Sequence, residues 1–471
     1  MINRLISYYL PSMPRQLVYM LQQVEYDPVK FLKWCVKFPD LNIVQKRKKL
    51  VYTQKATLLI FVSYYFWITL LIASILFAIH EQWVSAALRF LLVPILLSIF
   101  LAIVVFVGNI LLLLYRRPLL GKAQEILKNH KAVKIAVLGS YGKTTMKELL
   151  TTVLAEGKKI KATRGNMNVP ISHARWVTSK VGSDEEVLIF EYGEGEPGDI
   201  SKFARLTHPD YGIITGLAPN HLDRYPSMEA LADDLLSIRK YVDDERLLLN
   251  EAAVQLAKKA ISVPTYGPEG IKDWAISNIK VDYDGTSFIM THKDTKLDLK
   301  SQLLGRHQVG PLAAVAALAF DLGLTPEQIE AGVAKTEPFE HRMKPRSLHG
   351  AWIIDDTYNG NLEGIRAGLE LLNDLDAKRK IYVTPGLVDQ GIENERVHTE
   401  IGQLIATAKP NKVVLMNNSV TKFIRSGLQS ANYAGDLVIE DNPLQFYENL
   451  ESSIAAGDLV IMQNDWTDNY Q

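Results

Sequence analysis

At 471 residues the chain is long enough for two or three domains. Its 52 Lys and Arg balance 52 Asp and Glu, and a net charge of zero argues against a generic nucleic-acid binder, whose affinity needs a basic surface. The single cysteine, Cys35, excludes an internal disulfide, reads as a packed apolar residue and says little about compartment.

Residues 1–50 read as a cytoplasmic N-terminal segment. Leu17, Met20, Leu21, Val24, Phe31, Trp34 and Phe38 alternate with polar and basic positions. Short helices on a headgroup surface and packing on a cytoplasmic domain are both open for this segment. Residues 51–117 read as a transmembrane hairpin. The stretches 56–79 and 90–115 carry no charge, and each exceeds the roughly 20 residues a helix needs to cross the hydrocarbon core. Lys46, Arg47, Lys48, Lys49 and Lys55 precede the first, Arg116, Arg117, Lys122 and Lys128 follow the second, and the connection "HEQWVSAALR" holds Arg89. The positive-inside rule then puts both ends, and everything downstream, on the cytoplasmic side of the cell membrane. A very apolar buried hairpin of a soluble domain is the competing reading. The first apolar run is too long, and begins too far in behind a basic cluster, for a cleaved signal peptide.

The next stretch, "VKIAVLGSYGKTT" (residues 133–145), is the one the rest of the chain is organised around. A β-branched run predicts a buried strand, and "MKELLTTVLAEG" predicts a helix beginning near Thr144. Between them Gly139, Ser140, Tyr141 and Gly142 form a loop whose backbone N–H groups can curl round an anion at a helix N-terminus. Lys143 is placed to reach terminal phosphates, and Thr144 and Thr145 supply hydroxyls, Thr144 as a Mg²⁺ ligand. Only two residues separate the glycines, so the spacing is shorter than the usual phosphate loop.

From residue 118 to 338 short β-rich runs alternate with helical patterns, which predicts a mainly parallel sheet covered by helices, with ligands at the carboxyl ends of its strands. Strands are expected at "VLIFEYG" (187–193), "YGIITGL" (211–217) and "RLLLN" (246–250). Glu191 ends one strand and His221 follows another, so a carboxylate and an imidazole can meet Thr144 in a divalent-metal site. A lysine-paired carboxylate and a surface-loop histidine are the blander readings, and spacing does not decide.

"GSYGKTT", "RGNMNVP", "EYGEGEPGDI", "NHLDRYPSMEAL", "LLGRHQVGPLAAVAAL", "EHRM" and "IDDTYNGN" follow one another in the order found in the Mur ligase family. Over about residues 119–457 the chain resembles the MurF type, which joins D-alanyl-D-alanine to UDP-N-acetylmuramoyl-tripeptide. The resemblance implies an ATP-dependent carbon–nitrogen ligase of peptidoglycan precursor synthesis. A muropeptide carboxylate takes the γ-phosphate as an acyl phosphate, and an amino acid or dipeptide amine then attacks it. Position by position it implies Lys143, Glu191 and His221 as catalytic and Thr144, Glu191 and His221 as the metal shell. Arg342, Asp356 and Gln308 fall at ATP contacts, and Asn166, Asn168, Asn359, Asn361, Asp389 and His398 at substrate positions. ATP and Mg²⁺ are the implied cofactors.

The departures concern substrates and metal. The family's carbamylated lysine, about fourteen residues after the histidine, is Leu235 here, and "HQVGP" puts Gln308 and Pro311 where the family has asparagines. Near the end "QNDW" (463–466) replaces the cationic turn of the MurF type. The membrane hairpin stands where that type has its UDP-binding domain, so the precursor is expected to be UDP-linked or lipid-linked. Residues 339–471 then alternate again: "AWIIDDTYNGN", an amphipathic helix over 362–372, "KIYVTPG", "HTEIGQLIATA", "KVVLMN" and "GDLVIMQND" predict a smaller Rossmann-like domain, in the family a mobile lid. The expected architecture is therefore α/β, a phosphate-loop parallel-sheet ATPase domain and a smaller Rossmann-like domain behind a two-helix transmembrane module. Two other functions stay open, a poly-γ-glutamate-synthetase-like ligase and a degenerate ATP-binding membrane scaffold. Oligomeric state is not legible.

Overall fold

The computed structural model describes every residue except 1–5, 38–40, 42–49, 81, 166, 219–224, 254–258, 260, 261, 358, 359, 389, 391, 392 and 465–471. The chain divides into two compact units, Met1–Pro118 and Leu119–Gln471.

The first unit is helical: α1 (Met13–Gln23), α2 (Pro28–Val36), α3 (Gln54–Ile79) and the first part of α4 (Trp83–Asn129). Asp27 caps α2 by accepting from the N–H groups of Val29 and Lys30, and Thr53 caps α3 by accepting from Ala56. α3 and α4 are both long and apolar enough to cross a membrane by length and composition. Phe61, Ile72, Ile103 and Phe106 are each more than half exposed. α4 starts earlier than the span expected at 90–115, because "WVSAALR" contains no helix breaker and simply continues the helix. The described part of the N-terminal segment packs along this hairpin. Leu17, Val18, Leu21 and Phe31 share a core with Leu59, Leu97, Leu101 and Val105, and the Tyr9 and Tyr64 hydroxyls donate to the Leu91 and Pro11 carbonyls at 3.1 and 2.9 Å.

The second unit holds two sheets. The first runs in the order β10-β9-β8-β7-β6-β5-β4-β1-β3-β2, where β1 is Val133–Leu138, β2 Ile160–Ala162, β3 Val187–Glu191, β4 Tyr211–Ile214, β5 Leu247–Asn250, β6 Thr265–Gly267, β7 Gly270–Ile271, β8 Trp274–Asp282, β9 Gly285–His292 and β10 Thr295–Ser301. β1 to β6 pair in parallel, whereas β7 to β10 extend the edge as an antiparallel meander. β1 lies between β3 and β4, so the chain reverses its winding at β1, the place where such sheets open a crevice.

Because successive strand residues face opposite ways, Ile135 and Val137 enter one core and Ala136 and Leu138 another. The first core is covered by α5 (Lys143–Leu154), with helices Val309–Asp321 and Pro326–Ala334 beside it. The second holds Trp176, Phe203 and Leu235 together with Ala123 and Leu127 from the end of α4. The helix expected from Thr144 thus begins at Lys143, and all four strands expected in this domain form.

The second sheet runs β11-β12-β16-β13-β14-β15, with β11 Lys344–Leu348, β12 Ala351–Asp356, β13 Arg379–Thr384, β14 Lys412–Met416, β15 Asp436–Glu440 and β16 Asp458–Gln463. It is parallel except for the β11–β12 pair. It docks on the first sheet's extension through the stacked rings of Tyr283 and Trp352, 4.7 Å apart, the Tyr283 hydroxyl on the Asp376 carbonyl at 2.6 Å, and the Arg306–Asp374 ion pair at 3.0 Å.

Candidate active site

The loop from β1 into α5 has its shape enforced by packing against the end of β4. Gly139 has φ +139°, and a Cβ there would lie 2.5 Å from Thr215 Oγ1 and 2.9 Å from the Gly216 nitrogen. Gly142, at φ +76°, caps α5. The Ser140 N–H donates to the Gly216 carbonyl at 2.8 Å, and the Thr215 hydroxyl donates to the Tyr141 carbonyl. Burial pushes the Tyr141 phenol up to about 12, so it stays neutral. The loop therefore presents a helix N-terminus at the carboxyl end of the parallel sheet.

Two carboxylates from the end of β3 and the loop after it meet this helix. The Thr144 hydroxyl donates to Glu191 Oε1 at 3.1 Å. Lys143 Nζ donates to both oxygens of Glu194, at 2.9 and 2.8 Å, and to the Gly139 carbonyl at 2.5 Å. One turn along α5, Lys147 is completely buried, 3.2 Å from Glu191 Oε2 and 3.2 Å from the Gly165 carbonyl. Four charged groups of alternating sign thus lie in a largely water-free cluster.

Glu191 Oε2 is buried and makes no hydrogen bond beyond that ion pair. Glu191 and the Thr144 hydroxyl are hard oxygen donors of the kind Mg²⁺ takes alongside phosphate oxygens and water, so the residues present fit that ion. Among the described residues no group of three or more His, Cys, Asp or Glu is arranged to hold a metal. The third expected ligand, His221, lies outside the described residues, as do Asn166, Asn359 and Asp389.

Of the other expected site residues, the fold brings several to this cluster. Asn168 runs against Gly193, where a Cβ would lie 2.3 Å from the Asn168 carbonyl oxygen. Arg342 Nη1 donates to the Thr145 hydroxyl at 3.1 Å, so the start of the second sheet's domain touches the phosphate helix. Asp356 ends β12, and burial pushes its carboxyl up to about 7 although Gln463 Nε2 donates to it at 2.7 Å. Gln463 also accepts from the fully buried Tyr382 hydroxyl at 2.8 Å, so the first residue of "QNDW" belongs to the Asp356 network.

Three residues take structural roles. Gln308 points its amide at His307 Nε2, 2.8 Å away. Asn361 caps the helix Leu362–Asp374, accepting from the Gly364 N–H at 2.8 Å. His398 is fully buried, with Nδ1 2.6 Å from the Asn394 carbonyl oxygen and Nε2 3.0 Å from the Leu387 nitrogen. Both ring nitrogens are committed to backbone, which fits a histidine that shapes the turn after β13. Leu235 is likewise a core residue. Its neighbour Asp234 accepts from the Tyr225 hydroxyl at 2.8 Å and from the Gly198 N–H at 2.9 Å, holding the far end of the Glu194 loop.

Glu194, Lys147 and Asp234 were not singled out by sequence. Glu194 lies within the "EYGEGEPGDI" motif, and Lys147 lies four residues after Lys143 and so on the same helix face. Those are the signals that point to them.

Residues 137–319 match the model of the Mur ligase middle domain. The chain is 28% identical over 291 residues to the UDP-N-acetylmuramoyl-tripeptide–D-alanyl-D-alanine ligase of Bacillus subtilis, covering 59% of this chain and 61% of that protein. It is 26% identical to the Escherichia coli ligase of the same name, covering 59% and 63%. The chain thus spans about three fifths of the length of these curated relatives. Among solved structures it is similar to MurF from Acinetobacter baumannii, with a TM-score of 0.64 at 20% identity over 74% of this chain and 77% of that one. A MurF ligase from Thermotoga maritima in complex with ADP gives 0.62 at 22% identity, covering 74% and 80%. Residues 137–319 are thus similar to the Mur ligase middle domain, and the second unit shares the fold of these solved MurF structures.

Proposed function

We propose that this protein is a membrane-anchored, ATP-dependent amide ligase of peptidoglycan precursor synthesis. In this reading it joins the carboxylate of a muropeptide to D-alanyl-D-alanine or a similar amine through an acyl phosphate. The observation that carries the reading is the meeting of Lys143, Thr144 and Glu191 at one helix N-terminus, with Arg342 reaching in from the second sheet's domain.

Each residue has a distinct task in that chemistry. Backbone N–H groups of residues 141–144 and Lys143 would hold the polyphosphate. Thr144 and Glu191 would hold the metal, and Lys147 keeps Glu191 aimed at Thr144 from behind. Bound MgATP supplies the transferable phosphoryl group and the metal's neutralisation of charge during transfer. The muropeptide carboxylate, a poor electrophile by itself, gains phosphate as its leaving group. The amine then attacks the acyl carbon, an amide bond forms and inorganic phosphate departs. Arg342 links closure of the second sheet's domain to the phosphate site, and closure excludes the water that would hydrolyse the acyl phosphate.

The hairpin α3–α4 supplies the membrane anchor in this reading, and the large apolar side chains exposed along both helices support it. A precursor recognised at the membrane surface, lipid-linked or UDP-linked, follows from that placement.

The test is ADP release by the full chain in lipid nanodiscs with Mg²⁺ and ATP, across UDP-linked and lipid-linked tripeptide precursors, with and without D-alanyl-D-alanine. Release that needs both a precursor and the dipeptide, with the matching mass gain in product, supports the reading and names the carrier. Release with another amine keeps the ligase and moves its substrate. No release with any pair, from protein that binds ATP, refutes it in favour of an ATP-binding scaffold.

A further inference from the structure

Lys143 is fully engaged in this structure. An ammonium has three N–H donors. Two are used by the two oxygens of Glu194, at 2.9 and 2.8 Å, and the third by the Gly139 carbonyl at 2.5 Å. The pair is sheltered, with side-chain exposures of 13% for Lys143 and 3% for Glu194. No donor is left for a phosphate oxygen unless one of these bonds breaks. The Gly139 bond belongs to the loop itself, whose backbone is pinned by Thr215 and Gly216. The bonds to Glu194 are the ones that can be released.

We propose that Glu194 is an internal competitor of the nucleotide, occupying on Lys143 the place a terminal phosphate must take, so that nucleotide entry requires the Glu194 carboxylate to leave the lysine. This rests on the nucleotide-site reading above and adds a gate to it.

The surroundings separate Glu194 from Glu191. Glu191 is the last residue of β3, its N–H donates to the Thr163 hydroxyl at 3.1 Å, and its carboxylate lies between Thr144 and Lys147. It is fixed. Glu194 lies outside the strand between Gly193 and Gly195, in a loop whose far end is tied to Asp234 through Gly198. Its side chain is held by Lys143. The sheltered groups Lys143, Lys147, Glu191 and Glu194 sum to zero charge, Glu148 adds a negative charge 3.4 Å from Lys147, and a polyphosphate added to that set meets the Glu194 carboxylate as a like charge. Once the lysine passes to phosphate, Glu194 has lost its counter-ion, so departure of the carboxylate and arrival of the nucleotide are one exchange. The result is a site whose empty-handed lysine is never exposed to stray anions and whose apparent affinity is set by the strength of one ion pair.

The experiment is a fluorescence titration of N-methylanthraniloyl-ADP and -ATP into the full chain in nanodiscs, with Mg²⁺ and with EDTA, for wild type, Glu194→Gln, Glu194→Asp and Lys143→Ala. If Lys143 is held by Glu194 in about nine molecules of ten, competition lowers the apparent affinity about tenfold. Glu194→Gln should then bind both nucleotides about tenfold more tightly, in EDTA as well as in Mg²⁺, while Lys143→Ala binds neither. Glu194→Asp, one methylene shorter and still charged, should lie between wild type and Glu194→Gln, which keeps the test available if Glu194→Gln does not fold. Equal or weaker binding by both Glu194 variants overturns the proposal. Weakening confined to Mg²⁺ overturns it in favour of a metal-ligand role. Wild type that binds while the Glu194 variants show no gain refutes the gate alone, whereas wild type and variants that all fail to bind refute the nucleotide site and the gate together.

Discussion

Lys147 is the most exacting test of how the site is held together. Its ammonium is wholly buried, 3.2 Å from Glu191 Oε2, and donates to the Gly165 carbonyl at 3.2 Å. At that separation and an effective dielectric of about 20, the pair attracts by about 5 kcal/mol. Removing one member of a buried pair typically costs about 3–5 kcal/mol, because the other charge is left uncompensated. Lys147→Met keeps an unbranched stem one atom shorter and removes the charge, so a loss of about 4 kcal/mol is expected. For a domain of about 200 residues that is a fall in Tm of about 8 °C. Glu191→Gln should fall by less, since the ammonium keeps Glu148 Oε1 at 3.4 Å as a second, more exposed partner. The double variant removes both charges and should be clearly less destabilised than the sum of the singles, by about 2–3 kcal/mol. Melting curves from tryptophan fluorescence of the full chain in detergent measure all four proteins. A Lys147→Met shift under 2 °C, or additivity within about 0.5 kcal/mol, would refute the account of Glu191 as a carboxylate held by a buried lysine.

Other expectations follow from the same geometry. The Asp356 carboxyl is raised from 3.8 to about 7, so between those values the folded state holds a proton that the unfolded chain releases. Stability therefore falls as pH rises through that window, by up to about 4 kcal/mol from this one group, and Asp356→Asn should flatten the dependence of Tm on pH between pH 5 and 8. Arg342→Ala removes the bond to Thr145 and should raise KM for ATP about tenfold with little change in Tm, as a charged hydrogen bond at a partly exposed site would. A chain beginning at Leu119 should melt well above one beginning at Ala132, because only the former keeps Ala123 and Leu127, both fully buried in the second core. Burying a leucine contributes about 2 kcal/mol, and comparing the two melting curves checks it. Finally, the full chain should stay in the membrane pellet after carbonate extraction, and a chain lacking Met1–Pro118 should not; recovery of the full chain in the supernatant would remove the anchor.

Much of the fold was legible because its signals are local. The phosphate loop, the buried parallel strands and the two long apolar runs each follow from periodicity and glycine placement within a short window. The antiparallel strands β7 to β10 were not read, since a half-exposed edge strand lacks the continuous apolar run of a buried parallel strand, and in β8 an irregularity between Ser277 and Lys280 also breaks the alternation. Residues assigned by motif position divided in the same way. Gly139, Gly142, Lys143 and Thr144 lie at the turn from β1 into α5, the local geometry the loop spacing predicts. Asn361 and His398 have local partners that the motif did not reveal, a helix cap for one and two backbone groups for the other.

The sequence by itself determined the chemistry available: a glycine-flanked loop before Lys143 and Thr144, the Glu191 carboxylate at the end of a buried strand, and a hairpin apolar enough for a bilayer. Those properties reside in residue types at short spacing, and no tertiary contact is needed to establish them. Only the tertiary structure decided which charges meet. Lys143 and Glu194 are fifty-one positions apart and Arg342 lies 197 from Thr145. The parallel pairing of β1 with β3 and β4 brings the first pair together, and the placement of the second sheet's domain brings the other. Burial then set the consequences, since the same lysine and glutamate in water would pass as a weak surface pair.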